Sequence, residues 1–315
     1  MKKIVIFGGG SGLSQLLKGI KLFPLDITAV VSVVDNGGST GLLRKEFNFP
    51  AVADITKVML SMSSADEDVI KLMNYRFTKS KTIGIHSVKN LLLIALLDMK
   101  GSFAKAMPVL ESLFDVKGNI LPLTEDNVEL IGITKEGKEI FGEAQVTKCI
   151  DKIKDVKYNK DIVVNPKVLK AVNEADLIIF SSGSLFTSIA PHLLDKTLVE
   201  AINKSKADRM YICNLFTQPG ETDGFTVRDH VDYLERYLGK GKLNVVIANN
   251  KIISSKLARK YATEQQKDPV VLDMNELEHI HVIQDKLAVI ENGVYRHDAL
   301  KTGYLIFSYL MERRK

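Results

Sequence analysis

The sequence predicts an α/β fold: a Rossmann-like, doubly wound, mostly parallel sheet with a small β-rich insertion. Three observations predict it. An apolar run, Ile4–Phe7, enters a glycine cluster, Gly8–Gly12, and a helical apolar pattern follows. A second β-branched run, "ITAVVSVVD" over 27–35, enters a second cluster, "NGGSTG" over 36–41. The pattern of an apolar run closed by polar residues then returns in "DLIIFSSGS" (176–184), "RMYICNLF" (209–216) and "LNVVIANN" (243–250). Near-continuous apolar strands alternating with helices are the mark of a parallel sheet, because βα crossovers cover both of its faces.

The elements follow in order. After the first cluster, Leu13, Leu16, Leu17 and Ile20 recur at helical spacing. Residues 55–75 and 87–98 read as helices. The stretch 118–148 has short alternating runs, and its "KEGKE" reads as a hairpin turn. This predicts a β-rich insertion around 111–165 within one domain spanning 1–315. No repeat, low-complexity linker or charge block marks a boundary.

Composition narrows the function. The chain has 315 residues, and its 43 basic against 38 acidic side chains leave a net charge of +5. That surplus is too diffuse to predict a nucleic-acid partner. The two cysteines, Cys149 and Cys213, lie far apart, which argues against a disulfide framework and fits a reducing cytoplasm. No HExxH, His-x-x-His or Cys/His cluster predicts a zinc site. No apolar run reaches the roughly 18 residues of a membrane span.

Four polar clusters each follow an apolar strand: Gly8–Gly12, Asp35–Gly41, Ser181–Ser184 and Asn214–Thr222. In an open parallel sheet the ligand crevice lies beyond the carboxyl ends of the strands, so four such clusters predict one shared site. Gly8, Gly9, Gly10, Ser11 and Gly12 lead into a helix, where backbone N–H groups and the helix dipole favour a phosphate; the same glycines also suit a plain tight turn. The dinucleotide fingerprint fits poorly, since Leu13 or Gln15 stands where its third glycine belongs, and the lysine of a P-loop is missing. Asp35 could accept from a ribose hydroxyl, help hold Mg²⁺, or cap the next helix. Gly38 and Ser39, with Gly37 and Thr40, could form a second anion nest. Arg44 could pair with a phosphate or lie solvated. His86 and Asn90 stand four apart, on one face if helical. Gly183 and Ser184 lie in a loop that is not a G-x-S-x-G elbow. Asn214, Thr217, Gln218, Glu221 and Thr222 follow a later strand, and "RHD" (296–298) sits near the end.

The ordered set "GGGSGLSQLLKGIK", "DNGGSTGLLR", "IHSVKNLLLIALL", "GNILPLTEDNVEL…GKEIFGEAQVT", "ADLIIFSSGSLFTSIAPHLL", "YICNLFTQPGETDGFTVRDHV" and "YRHDALK" resembles the gluconeogenesis factor family (YvcK-like) across nearly the whole chain. That family is related to the 2-phospho-L-lactate transferases (CofD-like). The resemblance implies a Rossmann-like fold with a nucleotide at the strand ends. In the transferase branch it implies Mg²⁺-dependent transfer of a phospholactyl-type group from a nucleotide-activated donor. In the gluconeogenesis-factor branch it implies a UDP-sugar-binding protein tied to carbon metabolism, cell-wall synthesis and cell shape, with no established reaction. The "LPLTEDNVEL…GE" insertion and the terminal "RHD" are similar to the second branch.

The chain also departs from the family pattern. Asn36 replaces the second acid of Asp-Asp-Gly-Gly-Ser. Thr56 and Lys57 replace Arg-Asn after the retained Asp54-Ile55, Lys89 replaces the glycine before Asn90, and Ser181-Ser182 replace Gly-Pro. These changes fall on the expected site and weigh against transfer chemistry. The expected function is therefore a cytoplasmic, nucleotide-sugar-binding regulatory protein that needs no cofactor. A phospholactate-type transferase is the alternative, with Asp35, Asp54 and His86 as catalytic candidates and Asp35 as the Mg²⁺ candidate; an NAD(P) oxidoreductase ranks below it. The expected ligand-binding set is Gly8–Gly12, Asp35, Asn36, Gly38, Ser39, Arg44, Asn90, Gly183, Ser184, Asn214, Thr217 and Arg296. The expected partner is a nucleotide-type small molecule; a homodimer and regulatory protein partners stay open.

Overall fold

The structure is a computed structural model that describes residues 1–149, 151–253 and 267–312. Its strands are β1 (Lys2–Gly8), β2 (Leu25–Val31), β3 (Asn119–Pro122), β4 (Leu130–Thr134), β5 (Glu139–Phe141), β6 (Ile153–Tyr158), β7 (Leu177–Phe180), β8 (Asp208–Ile212), β9 (Val245–Asn249), β10 (His281–Asp285), β11 (Ala288–Glu291) and β12 (Val294–His297). Seven of them form one sheet in the order β10-β9-β8-β7-β1-β2-β3, and every neighbouring pair is parallel. The expected doubly wound sheet is present. Its inner strands carry unbroken apolar runs because helices cover both faces: β1 is buried from Ile4 to Gly8, and all of β7 is buried.

The strand order fixes the site. The chain runs outward through β1, β2 and β3, then returns to lay β7 on the other side of β1. The order reverses between β1 and β7, and such a switch point opens a crevice at the carboxyl ends of the strands. Gly8 pairs with Val31 and Phe7 with Phe180, so β1, β2 and β7 finish side by side. The helix Gly10–Ile20 buries Leu13, Leu16, Leu17 and Ile20 and packs against the helices Ala53–Met62 and Ala299–Glu312.

Several elements differ from the sequence expectation. The span 55–75 holds two helices, Ala53–Met62 and Glu67–Asn74, not one. Ser63 ends the first by donating to the Phe114 carbonyl at 2.6 Å, and the Asp66 side chain caps the second at the Asp68 N–H. The insertion is narrower than 111–165. Residues up to Leu113 finish the helix Phe103–Leu113, and β3 joins the main sheet beside β2. The separate antiparallel sheet, ordered β5-β4-β6, covers 130–158. Strand β10, the β11–β12 hairpin and the helix Ala299–Glu312 add to what the sequence predicted. Among the described residues no helix is long and apolar enough to cross a membrane. Cys149 and Cys213 are both free thiols.

Candidate functional site at the strand ends

The first glycine loop is shaped by what it lies against. A Cβ on Gly8 would collide with the Ser181 hydroxyl, and one on Gly12 with the Ser182 carbonyl. These two glycines let the loops after β1 and β7 touch across the switch point. Gly10 has a φ of +56°, which favours glycine. Gly9 is the N-cap in extended conformation, with no capping side chain, and the first turn holds no acid. The positive end of the helix Gly10–Ile20 therefore opens into the crevice. Beneath it, buried His192 lies with Nε2 3.0 Å from the Gly8 carbonyl. Burial pushes its pKa down to about 4, so the neutral ring donates its Nε2–H and anchors the end of β1.

Asp54, half-buried on the helix Ala53–Met62, accepts the Gly10 N–H. Burial pushes its carboxyl up to about 6; Asp35 adds repulsion, and Lys57 opposes the shift. Lys57 Nζ donates to Ser11 Oγ at 2.6 Å. The chain thus places its own carboxylate and ammonium at the helix end where a bound anion would lie.

The second loop makes a tighter turn. Asp35 Oδ1 accepts the Gly37 N–H at 2.9 Å as the chain enters the helix Gly38–Phe47. Behind it runs a mostly buried polar chain. Thr56 Oγ1 faces Asn90 Oδ1 at 2.9 Å, with the Ala53 carbonyl as a second acceptor, and Asn90 Nδ2 donates to Ser39 Oγ at 3.3 Å. Ser39 Oγ lies 2.8 Å from His86 Nδ1. Ser39, His86 and Asn90 are therefore brought together, with Thr56, one of the departures, filling the end of the row.

Asn36 reaches the insertion. Its Oδ1 accepts the Ala144 N–H at 2.9 Å, and its Nδ2 donates to Glu129 at 3.3 Å. This docks the short helix Glu143–Lys148 and brings Glu143 beside Asp35 and Asp54. Burial, with repulsion from those two acids, pushes Glu143 up to about 7. Glu221 is also pushed up to about 7, first by burial and further by Glu143, although it accepts the Ser184 hydroxyl at 2.5 Å. The result is a row of mutually repelling carboxyls, Asp35, Asp54, Glu143 and Glu221, across the crevice. Glu143 and His192 were missed as candidates. Both come from distant segments, and only the terminal "GE" of the insertion hinted at Glu143.

Other expected residues are braces. Arg44 donates to the Val34, Asp35 and Val128 carbonyls and to Asn127 Oδ1. Its guanidinium stitches the 127–128 loop to the exit of β2, so its partners here are neutral oxygens of the chain itself. Asn214 accepts the Gly183 N–H at 3.0 Å and donates to its carbonyl at 2.7 Å, fixing that loop. Thr217 exchanges two hydrogen bonds with the Asp268 backbone. Ser184 accepts from the Thr187 N–H and hydroxyl. Arg296 is exposed on β12 at the rim.

A cavity of about 420 Å³ lies between the loops after β1, β7 and β8 and is closed by β12. Phe216 and Tyr295 form one side, with ring centroids 5.5 Å apart. A similar cavity of about 410 Å³ opens among Lys3, Asp26, Phe103 and Lys167 at the amino ends of β1 and β2. It has no glycine loop, and the two helix N-termini that reach it are already capped, Phe103–Leu113 by the Glu125 carboxylate and Pro166–Glu174 by the Asn165 side chain, so the phosphate chemistry lies with the first. Among the described residues no three His, Cys, Asp or Glu side chains gather closely enough to hold a metal ion.

Comparison with known proteins agrees with this architecture. Residues 4–288 match the family described as "2-phospho-L-lactate transferase CofD". The chain is 38% identical over 313 residues to the gluconeogenesis factor of Bacillus subtilis, covering 98% of each protein. It is 37% identical over 308 residues to the gluconeogenesis factor of Halalkalibacterium halodurans, covering 97% of this chain and 95% of the relative. A crystal structure of a Bacillus halodurans protein superposes with a TM-score of 0.93 at 36% identity, over 97% of this chain and 99% of that one.

Proposed function

Because the chain belongs to the CofD family, with bacterial gluconeogenesis factors as full-length relatives, we propose that its strand-end crevice binds a nucleotide sugar of the UDP-sugar kind and that the protein regulates rather than catalyses. One observation carries the reading: the N-terminus of the helix Gly10–Ile20, whose N-cap Gly9 has no side chain and whose Gly10 N–H is held by Asp54, opens at the switch point onto a cavity with an aromatic wall. The diphosphate lies on that helix end. The base lies near Phe216 and Tyr295, whose faces suit stacking. Mg²⁺ in this reading arrives with the diphosphate, which supplies most of its ligands, and Asp35 is the residue that would hold it; the ion neutralises phosphate charge. The regulatory role is cytoplasmic and linked to carbon metabolism, cell-wall synthesis and cell shape.

Thermal-shift titration tests the ligand class. A nucleotide sugar at a hundred times its Kd adds about 2.7 kcal/mol of stability, so UDP-sugars should raise the Tm clearly and NAD should not. No shift with any UDP-sugar at millimolar concentration overturns the reading. The transferase alternative rests on the carboxyls of Asp35, Asp54 and Glu143. It requires Mg²⁺-dependent turnover of a nucleotide-linked donor that Asp35→Ala abolishes.

A further inference from the structure

A second cavity, of about 400 Å³, lies on the other flank of the helix Gly10–Ile20. Its walls include Ser11, Ser14, Lys18, Lys57, Lys89 and Arg296, over the apolar Leu60 and Ile70. Lys57 and Lys89 are two of the positions at which this chain departs from the pattern it resembles. The cations meet mostly neutral partners: Lys57 donates to Ser11, and Lys89 donates to Asn74 Oδ1 at 2.7 Å. Among the described residues none of the four cations makes an ion pair within 4 Å. The acids nearby are Glu291, which takes the Gln15 amide at 2.9 Å, and Asp54, which acts on Lys57 and Lys89 from the neighbouring crevice. Burial and the nearness of Lys57 and Arg76 push Lys89 down to about 8. Ser14, only 6% exposed, has a buried hydroxyl without a hydrogen-bond partner. Positive charge without a direct ion-pair partner and an unpaired buried hydroxyl in one concave space both call for an anion with acceptor oxygens.

We propose that this cavity binds a carboxylate or phosphate group on a small hydroxylated molecule. Ser11, Gln15, Val294 and Arg296 line both this cavity and the proposed nucleotide cavity, so the two adjoin. The anionic group can therefore be the far end of the nucleotide ligand, which rests on the nucleotide reading, or a separate phosphate ester held beside it, which does not.

Calorimetric titration of the full chain with UDP, UDP-glucose, UDP-glucuronate and glycerol phosphate separates the sources. Lys18 is the residue to change, because it is exposed on the helix and lines only the second cavity. If the group belongs to the nucleotide ligand, UDP-glucuronate binds about tenfold tighter than UDP-glucose. Lys18→Glu removes that gain, Lys18→Gln reduces it, and UDP affinity stays within about twofold. If the source is separate, glycerol phosphate binds wild type with or without UDP and fails to bind Lys18→Glu. Wild type that binds UDP but gains nothing from either anion overturns the second cavity and leaves the nucleotide reading standing. Glycerol phosphate binding that is sensitive to Lys18, in a chain that ignores UDP and UDP-sugars, supports the cavity and overturns the nucleotide reading. Equal loss of UDP and anion binding in both Lys18 variants overturns the proposal, as does no binding of any of the four compounds.

Discussion

Asp54 governs how the crevice receives an anion, because its carboxylate already holds the Gly10 N–H at the helix end. A phosphate arriving there meets a like charge at high pH and a neutral acid at low pH. The same shift sets a sign for stability. The folded-state pKa is raised to about 6 from an ordinary 3.8. The stabilising contribution is therefore complete below the ordinary value and is lost as pH rises through about 6. Asp54→Asn keeps an acceptor for Gly10 and loses the charge. The variant should gain several degrees of Tm over wild type near pH 8 and little near pH 4. It should also bind UDP about three- to tenfold tighter in Mg²⁺-free buffer at the higher pH. Equal Tm differences at the two pH values would show that the carboxyl carries no such penalty.

At the scale of elements, Asn36 joins the second strand-end loop to the insertion, and its identity has a physical reason. An amide accepts from Ala144 and donates to Glu129 at once, whereas the acid usual at this position can only accept. Asn36→Asp leaves Glu129 without its donor and adds a carboxylate beside Asp35 and Glu143. It should cost about 1–2 kcal/mol and speed hydrogen exchange in the helix Glu143–Lys148. Unchanged exchange there would mean that the docking rests on other contacts. This junction also marks where the sequence stopped being readable. Apolar runs such as "IVIF" and "LIIF" announced the strands, since strands covered on both faces must be apolar throughout, and the polar clusters after them located the site. The roles of Asn36, Arg44 and Asn214 were hidden, because each is decided by a partner that folding brings from a distant segment: Ala144, Val128 and Gly183. The break between the helices Ala53–Met62 and Glu67–Asn74 was hidden for the same reason, as Ser63 is held by Phe114.

Across the whole molecule, two buried sets of titratable groups pull stability in opposite directions. His192 and His297 donate to backbone carbonyls at the ends of β1 and β8, and burial holds both near 4. A lowered histidine contributes stability above its ordinary 6.5 and loses it as pH falls toward 4. Each is worth at most about 3 kcal/mol by linkage. Asp54, Glu143 and Glu221 are raised to about 6, 7 and 7, so they contribute stability at low pH and lose it as pH rises. Between roughly pH 4.5 and 7 the folded state binds protons on the carboxyls while the unfolded state binds them on the histidines, and the two slopes largely cancel. Wild type should therefore show a shallow pH profile in urea unfolding. In the double variant Glu143→Gln and Glu221→Gln the compensation is lost. Its stability should fall more steeply than wild type's on acidification, and at pH 8, where both carboxylates are charged, it should exceed wild type's. Parallel profiles for the two proteins would mean that the two glutamates ionise as they do in the unfolded chain.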